Sequence, residues 1–343
     1  MLTALKAVWR AVVPKPVREK VTSARQRGLV RLNHALMRAG LSGAWPHTLY
    51  IEGTNICNAR CAFCAYPQME RPYATMPVEL FKKAVAQYLE LGPGEIDLTP
   101  IVGDPFVDKF LFERLDWLSQ NPLVQRFHFY TNAILMKPEF HQRLLAYGER
   151  FMLCCSFGGF DRKTYHTVMG VDKFEEAVAH IRGVIDAKAK TGSSVRIQIS
   201  LRLPPGNAQG EFWEYLCTMR DQGMITIESV ADFDNWGGAI TDEALKAAGL
   251  IPKPPPEHTG ACRRLFTGPT VLSDGRVNGC CCRDVEATLT IGDVNKESLG
   301  DILEGEPLKT LIARHESGDF PEICKLCTRY ESVRSKWGEA DVQ

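Results

Sequence analysis

Between residues 47 and 232, runs of β-forming residues take turns with runs whose apolar positions recur every three or four residues. His47–Glu52 alternates roughly and is rich in β-formers, which predicts a first strand. Pro77 predicts a helix start, with Val78, Phe81, Val85, Tyr88 and Leu89 as its apolar face and Gly92 as its stop. The same reading predicts strands over Glu95–Val102, Arg126–Tyr130, Phe151–Ser156, Val195–Leu201 and Ile225–Val230. Helices are predicted over 107–119, 138–148, 161–168, 173–190 and 210–222. Six strand–helix units with short connections imply parallel strands, because parallel neighbours need a crossover between them. The expected fold class is α/β, a partial (β/α)6 barrel that does not close.

The flanks read differently. Residues 1–45 carry nine Lys or Arg against the single acid Glu19, and Leu5, Val8, Trp9, Val12 and Val13 recur at helical spacing before Pro14 and Pro16. This predicts a basic helical extension, either packed on the barrel with its charges solvated or touching a membrane surface or anionic partner. Ile251–Glu257 holds four prolines and reads as a stiff linker. Beyond it, Ser273-Asp274-Gly275 is a turn signal between Thr270–Leu272 and Arg276–Asn278, predicting a hairpin, and 306–317 reads as a helix. The domains expected are thus 1–45, 46–240 and 241–343.

Charge adds little: 41 basic and 41 acidic residues cancel, which gives no hint of nucleic acid. Cysteine changes the picture. Twelve in a chain of 343 residues, with no apolar signal segment at the start, fit reduced, metal-binding thiols in a cytoplasmic protein better than a disulfide scaffold. Cys57, Cys61 and Cys64 crowd three thiols onto the loop after the first predicted strand. Zinc usually takes four ligands, often as paired C-x-x-C. Three thiolates suit three corners of a 4Fe–4S cubane and leave one iron with an open position. The loop would lie at a strand's C-terminal end, where α/β barrels keep their chemistry.

This spacing, with Phe63 before the last cysteine, resembles the signature of the radical S-adenosylmethionine (SAM) enzymes. The resemblance implies that the open iron chelates SAM. It also implies that reductive cleavage yields methionine and a 5′-deoxyadenosyl radical, which abstracts a hydrogen atom, with flavodoxin or ferredoxin as electron donor. It extends over the barrel. Gly103, Asp104 and Pro105 resemble the motif that receives SAM's amino group, through backbone and carboxylate acceptors, with Asp where the family has Glu. Thr131 and Asn132 resemble residues flanking the ribose, and Ser156 a polar contact to ribose or carboxylate. The stretch from Asp161 to Phe174, with Tyr165 and Gly170, also matches. On strand five, Arg196, Gln198, Ser200 and Arg202 are candidates to meet SAM's carboxylate, for which a guanidinium is well suited.

The C-terminal cysteines resemble the SPASM and twitch extensions of that family. Cys262, Gly275 and Cys280 fit the opening pattern, and Cys324 and Cys327 form a C-x-x-C with no cysteine after it. The resemblance implies one auxiliary 4Fe–4S cluster with four thiolates. Cys280, Cys281 and Cys282 are consecutive; counting from Gly275 selects Cys280, and counting back from Asp284 would select Cys281. If this stretch is a strand, neighbours point to opposite faces and one thiol ligates.

A closed auxiliary cluster suits removal of an electron from a substrate radical. The whole resembles the radical SAM dehydrogenases that oxidise a secondary alcohol on aminocyclitols. The expectation is therefore an enzyme acting on a small polar, sugar-like substrate and turning a carbinol into a carbonyl, with Arg202, Asp234 and His166 as candidate bases. One alternative is an epimerase quenched by a cysteine thiol, for which Cys154, Cys155, Cys281 and Cys282 are donors to test and Cys155 and Cys282 are named. A peptide-modifying maturase is another. A non-catalytic iron–sulfur carrier would have no use for the open iron.

Overall fold

The computed structural model describes residues 47–333 apart from positions 205 and 207. The predicted extension 1–45 lies outside the described residues. Six strands, β1 (Thr48–Ile51), β2 (Gly94–Asp97), β3 (Val124–Thr131), β4 (Phe151–Phe157), β5 (Arg196–Leu201) and β6 (Thr226–Ser229), pair in parallel in sequence order. The crossovers run through α1 (Val78–Glu90), α2 (Leu111–Gln120), α3 (Pro138–Leu145), α4 (Arg162–Met169) with α5 (Phe174–Thr191), and α6 (Glu211–Asp221). This is the partial (β/α)6 barrel expected.

The open edge at β1 is extended. β7 (Thr270–Val271) pairs with β1 in parallel, and β8 (Arg276–Asn278) and β9 (Thr290–Asp293) follow antiparallel. The predicted hairpin forms, but it continues the barrel's own sheet. The third strand of the extension, β9, falls where the sequence suggests only a connecting segment, because Ile291-Gly-Asp is too short to show a period. Short helices α7 (Asp242–Ala247), α8 (Arg264–Thr267), α9 (Leu299–Glu304), α10 (Glu306–Ser317) and α11 (Glu322–Leu326) complete the C-terminal region.

The second strand ends at Asp97 and not at Val102. The Asp97 carboxylate accepts the Thr99 amide at 2.8 Å, a side-chain turn that diverts the chain out of the sheet. The next helix starts late, at Leu111, because Asp104 caps a single turn over Pro105–Val107 first.

Strand parity divides the barrel wall. Ile51, Ile96, Phe129, Leu153, Phe157 and Ile199 are buried against the helices. The opposite parity turns polar groups into the barrel, where Gln198 donates to Glu228 at 2.5 Å and Arg202 to Ser156 at 3.3 Å. On the same wall His128 Nε2 lies 3.3 Å from Asp97 Oδ2. Burial opposes the imidazolium, but the Asp97 carboxylate outweighs it, so His128 titrates above its ordinary value. A raised value means the pair's contribution is complete below about pH 6.5 and is lost as pH rises through the folded value. We therefore expect the melting temperature to fall between about pH 6.5 and pH 9, and His128→Gln to flatten that slope. Calorimetry across the range checks it; a wild-type profile as flat as the variant's would contradict it.

Candidate active site

The three cysteines lie on the loop leaving β1, and the loop is braced from three sides. The Arg60 amide donates to the Met169 carbonyl at 3.3 Å and the Ala62 amide to Val168 at 2.9 Å, docking the loop on the end of α4. Gly170 ends α4 at φ 66°, and a Cβ there would sit 2.0 Å from the Arg60 carbonyl oxygen. Only glycine permits this approach. The Asp104 amide donates to Ile56 at 2.9 Å. Asn132 Nδ2 donates to Asn58 Oδ1 at 2.8 Å and lies 3.9 Å from Cys57 Sγ.

Burial pushes the Cys57 thiol up to about 12 and the Cys64 thiol up to about 11. Cys61 is raised too, by burial and then by Cys64 and Cys57 beside it. Three such thiols cannot ionise together at neutral pH without a cation to take the protons' place. The Tyr165 hydroxyl, buried near Cys61 and Asp104, has no hydrogen-bond partner among the described residues. The donor set fits an iron–sulfur group seated on the trio.

The predicted SAM-contact residues gather around this loop. Gly103 has φ 108°, and a Cβ there would meet the Thr54 carbonyl oxygen at 2.2 Å. Pro105 is buried in the turn that follows. The Phe63 ring packs on Phe233 at 5.7 Å, with the Arg202 guanidinium 5.7 Å from its face. Arg202 binds Ser156 and is an electrostatic neighbour of Cys61 and Cys64. Gln198 is held by Glu228 and Ser200, with Ser200 Oγ at 3.1 Å.

Two placements differ from expectation. The Asp104 carboxylate is fully buried and turned into the protein: Oδ2 accepts Thr131 Oγ1 and the Asn132 amide, both at 2.9 Å, and Oδ1 accepts the Phe106 amide. It ties the segment that follows β2 to the end of β3. Asn132 is likewise occupied by the cysteine loop.

The second cysteine set is assembled by chain pairing near the C-terminus. The Arg263 amide donates to Glu331 at 2.8 Å and the Val333 amide to Ala261 at 2.9 Å, which lays the segment after Cys327 beside Cys262. His258 Nε2 lies 3.2 Å from the Cys327 carbonyl oxygen and His315 Nδ1 accepts the Cys262 amide. Burial raises all four thiols, Cys262 to about 11 and Cys327 to about 12. Cys324 and Cys327 are each raised further by Cys280 and Cys262, so the four share one electrostatic neighbourhood. Cys280 lies beyond the end of β8, so strand alternation does not choose the thiol. Cys281 is buried against Gly268, and its sulfur is paired with that of Cys282 as a disulfide between sequence neighbours.

Comparison with known proteins decides the family. Residues 51–199 match the model of the radical SAM superfamily, and residues 262–328 match that of the SPASM iron–sulfur cluster-binding domain, well over half of the chain together. The chain belongs to the radical SAM superfamily. Its fold is similar to that of BtrN in complex with AdoMet and 2-DOIA: TM-score 0.57, 16% identity, covering 86% of this chain and 97% of that one. It is also similar to Streptococcus suis SuiB bound to S-adenosylmethionine: TM-score 0.53, 15% identity, covering 89% of this chain and 76% of that one. In sequence, 53 residues are 34% identical to the ribosomal protein uS12 methylthiotransferase RimO of Chlorobaculum parvum, 16% of this chain and 12% of that protein's length. No described helix is long and apolar enough to cross a membrane.

For a radical SAM protein, three of the predicted reacting side chains sit in the wrong surroundings. Asp234, expected as a base, is buried with both oxygens bound by Arg283 and Oδ1 also accepting the Trp236 amide at 3.1 Å. Arg283 overcomes burial and holds its carboxyl below the usual range, so it is a poor proton acceptor. Cys155 has the outward parity and lies in the core; burial pushes its thiol up to about 12. Cys282 is tied to Cys281. Cys154, one residue away from Cys155, has the inward parity and is an electrostatic neighbour of Tyr130 and Arg202. Strand register separates the two, and the sequence carries that register only as alternation.

Proposed function

We propose that the protein is a radical SAM oxidoreductase that oxidises a carbinol of a small polar substrate to a carbonyl. Three thiols on the β1 loop form the SAM-cleaving site, and Cys262, Cys280, Cys324 and Cys327 hold one auxiliary cluster. The observation that carries the reading is the trio beside Arg202, with a fourth thiol absent from the loop. Three thiols on one short loop supply three corners of a cubane, whereas zinc usually takes four ligands. With its groups bound, the site supplies a 5′-deoxyadenosyl radical that takes a hydrogen atom.

In this reading the chain's own residues do the rest. Cys57, Cys61 and Cys64 carry the negative charge, and Arg202 offsets part of it while presenting a guanidinium to SAM's carboxylate. The backbone of 103–105 offers acceptors to the amino group. The polar inner wall, with Gln198, Ser200 and Glu228 already hydrogen bonded, suits hydroxyl or amine groups of a substrate. The similarity of fold to BtrN, crystallised with AdoMet and 2-DOIA, supports a small-molecule substrate. A ferredoxin or flavodoxin would supply the electron. Residues 46–240 and 241–343 divide the work between the two thiol sets.

Epimerisation is a second reading, carried by Cys154 on the inner wall. Anaerobic turnover with carbon-deuterated aminocyclitols separates them. Oxidation is expected to give one carbonyl and one deuterated 5′-deoxyadenosine per event; the second electron would pass to the auxiliary cluster and the hydroxyl proton to solvent. An inverted product carrying solvent hydrogen, lost in Cys154→Ala while deoxyadenosine still forms, would establish epimerisation instead.

A further inference from the structure

Residues 234–236 bridge the segments that carry Cys64, Cys280–Cys282 and Cys327. The Trp236 indole N–H donates to the Phe63 carbonyl at 2.7 Å, next to Cys64. Asn235 Nδ2 donates to Leu326 O at 2.8 Å, and its own amide donates to Thr328 Oγ1 at 2.9 Å, so it holds both flanks of Cys327. Asp234 binds Arg283, with Oδ2 2.6 Å from Nη2, and Arg283 also donates to the Cys282 carbonyl. The Arg283 guanidinium lies 4.5 Å from the centre of the Trp236 ring. The junction is built at a cost in backbone freedom. Trp236 has φ 52°, rare for a bulky residue. A Cβ on Gly237 would strike Ile323 at 2.4 Å, and one on Gly238 would strike Leu326 at 2.9 Å, so the glycines let α11 and its cysteines close on the junction.

We infer that Asp234, Trp236 and Arg283 form an electrostatic junction that couples the two thiolate sites and sets the reduction potential of both. This rests on the ligand sets proposed above. Arg283 is a charge neighbour of Cys64 on one side and of Cys280 and Cys327 on the other. It is paired with one carboxylate, so the pair is close to neutral. Removing either member leaves a buried unit charge between the sites, where screening is weak. A positive charge favours the more reduced, more negative state of a cluster, and a negative charge opposes it. These are positioning residues; none is assigned a contact with substrate.

The test is a redox titration of the assembled protein followed by electron paramagnetic resonance at each centre. Arg283→Gln is expected to lower both potentials and Asp234→Asn to raise both. Each should change the oxidised-to-reduced ratio at fixed potential on the order of tenfold, which is 59 mV for a one-electron centre. The double variant restores neutrality and should return close to wild type, and Arg283→Lys should stay there. A structural role alone would make the double variant worse than either single one. Two assembled clusters whose potentials do not move, or move in the same direction in both single variants, overturn the coupling. Wild-type protein that assembles iron and sulfide at only one cysteine set overturns the ligand reading, and the coupling with it.

Discussion

Alanine at Cys57, Cys61 or Cys64 is expected to abolish formation of 5′-deoxyadenosine, by a factor of about a thousand or more, on the order of 4 kcal/mol in barrier. The loop has no substitute ligand: Asn58 and Asn132 bind each other, and Asp104 is turned inward. A cubane left with two thiolates loses the corner that fixes its orientation to Arg202 and to the backbone of 103–105. Iron in anaerobically reconstituted protein should drop from roughly eight to roughly four per chain, with the remainder on the second set. The fold should survive, because the loop is held by the backbone bonds of Arg60, Ala62 and the Asp104 amide and not by the thiols. Cys262→Ala makes the converse case: deoxyadenosine still forms and the other four irons are lost. A Cys61→Ala protein that cleaves SAM at the wild-type rate would show that the trio is not the site.

The order of the barrel was legible because each strand–helix unit carries its own signal: β-formers, then a helical stripe, then a glycine or proline stop. The cysteine trio was legible because a short loop cannot separate its side chains. What the sequence hides is parity and pairing. Cys154 and Cys155 are indistinguishable in composition, and one backbone step decides which faces the barrel and which the core. Asp234 reads as a candidate base until Arg283, 49 residues later, is found on it. The edge pairing of β7 with β1 joins residues about 220 apart, with only two residues of strand to announce it. Asp104 misled for a subtler reason. Its motif position was legible, but a carboxylate in a turn can face either ligand or protein, and two of the three donors that settle it, Thr131 and Asn132, lie at the next strand's end, 27 and 28 residues away.

The pairing that no motif announced predicts the largest loss of stability. Glu52, at the end of β1, is fully buried and holds Arg71 by two bonds, at 2.8 and 3.1 Å, while Ser273 Oγ donates to it at 3.0 Å. Arg71 Nε reaches the Val285 carbonyl at 2.6 Å, and the Glu286 carboxylate accepts the Glu70 and Arg71 amides. One carboxylate and one guanidinium therefore fasten the strap after the cysteine loop, the first barrel strand and the turn between β7 and β8. Arg71→Met would leave a buried carboxylate with Ser273 alone. Breaking a buried pair in this way costs about 3–5 kcal/mol, about a fifth or more of the stability of a typical domain. Glu52→Leu should cost a comparable amount through the stranded guanidinium. Glu52→Leu with Arg71→Met should cost clearly less than the sum, because no unpaired charge remains. Urea unfolding of the four proteins measures all three. Single-variant losses below about 1 kcal/mol, the range of solvent-exposed pairs, would mean that water reaches the pair and that the hairpin is held to the barrel by β7 alone.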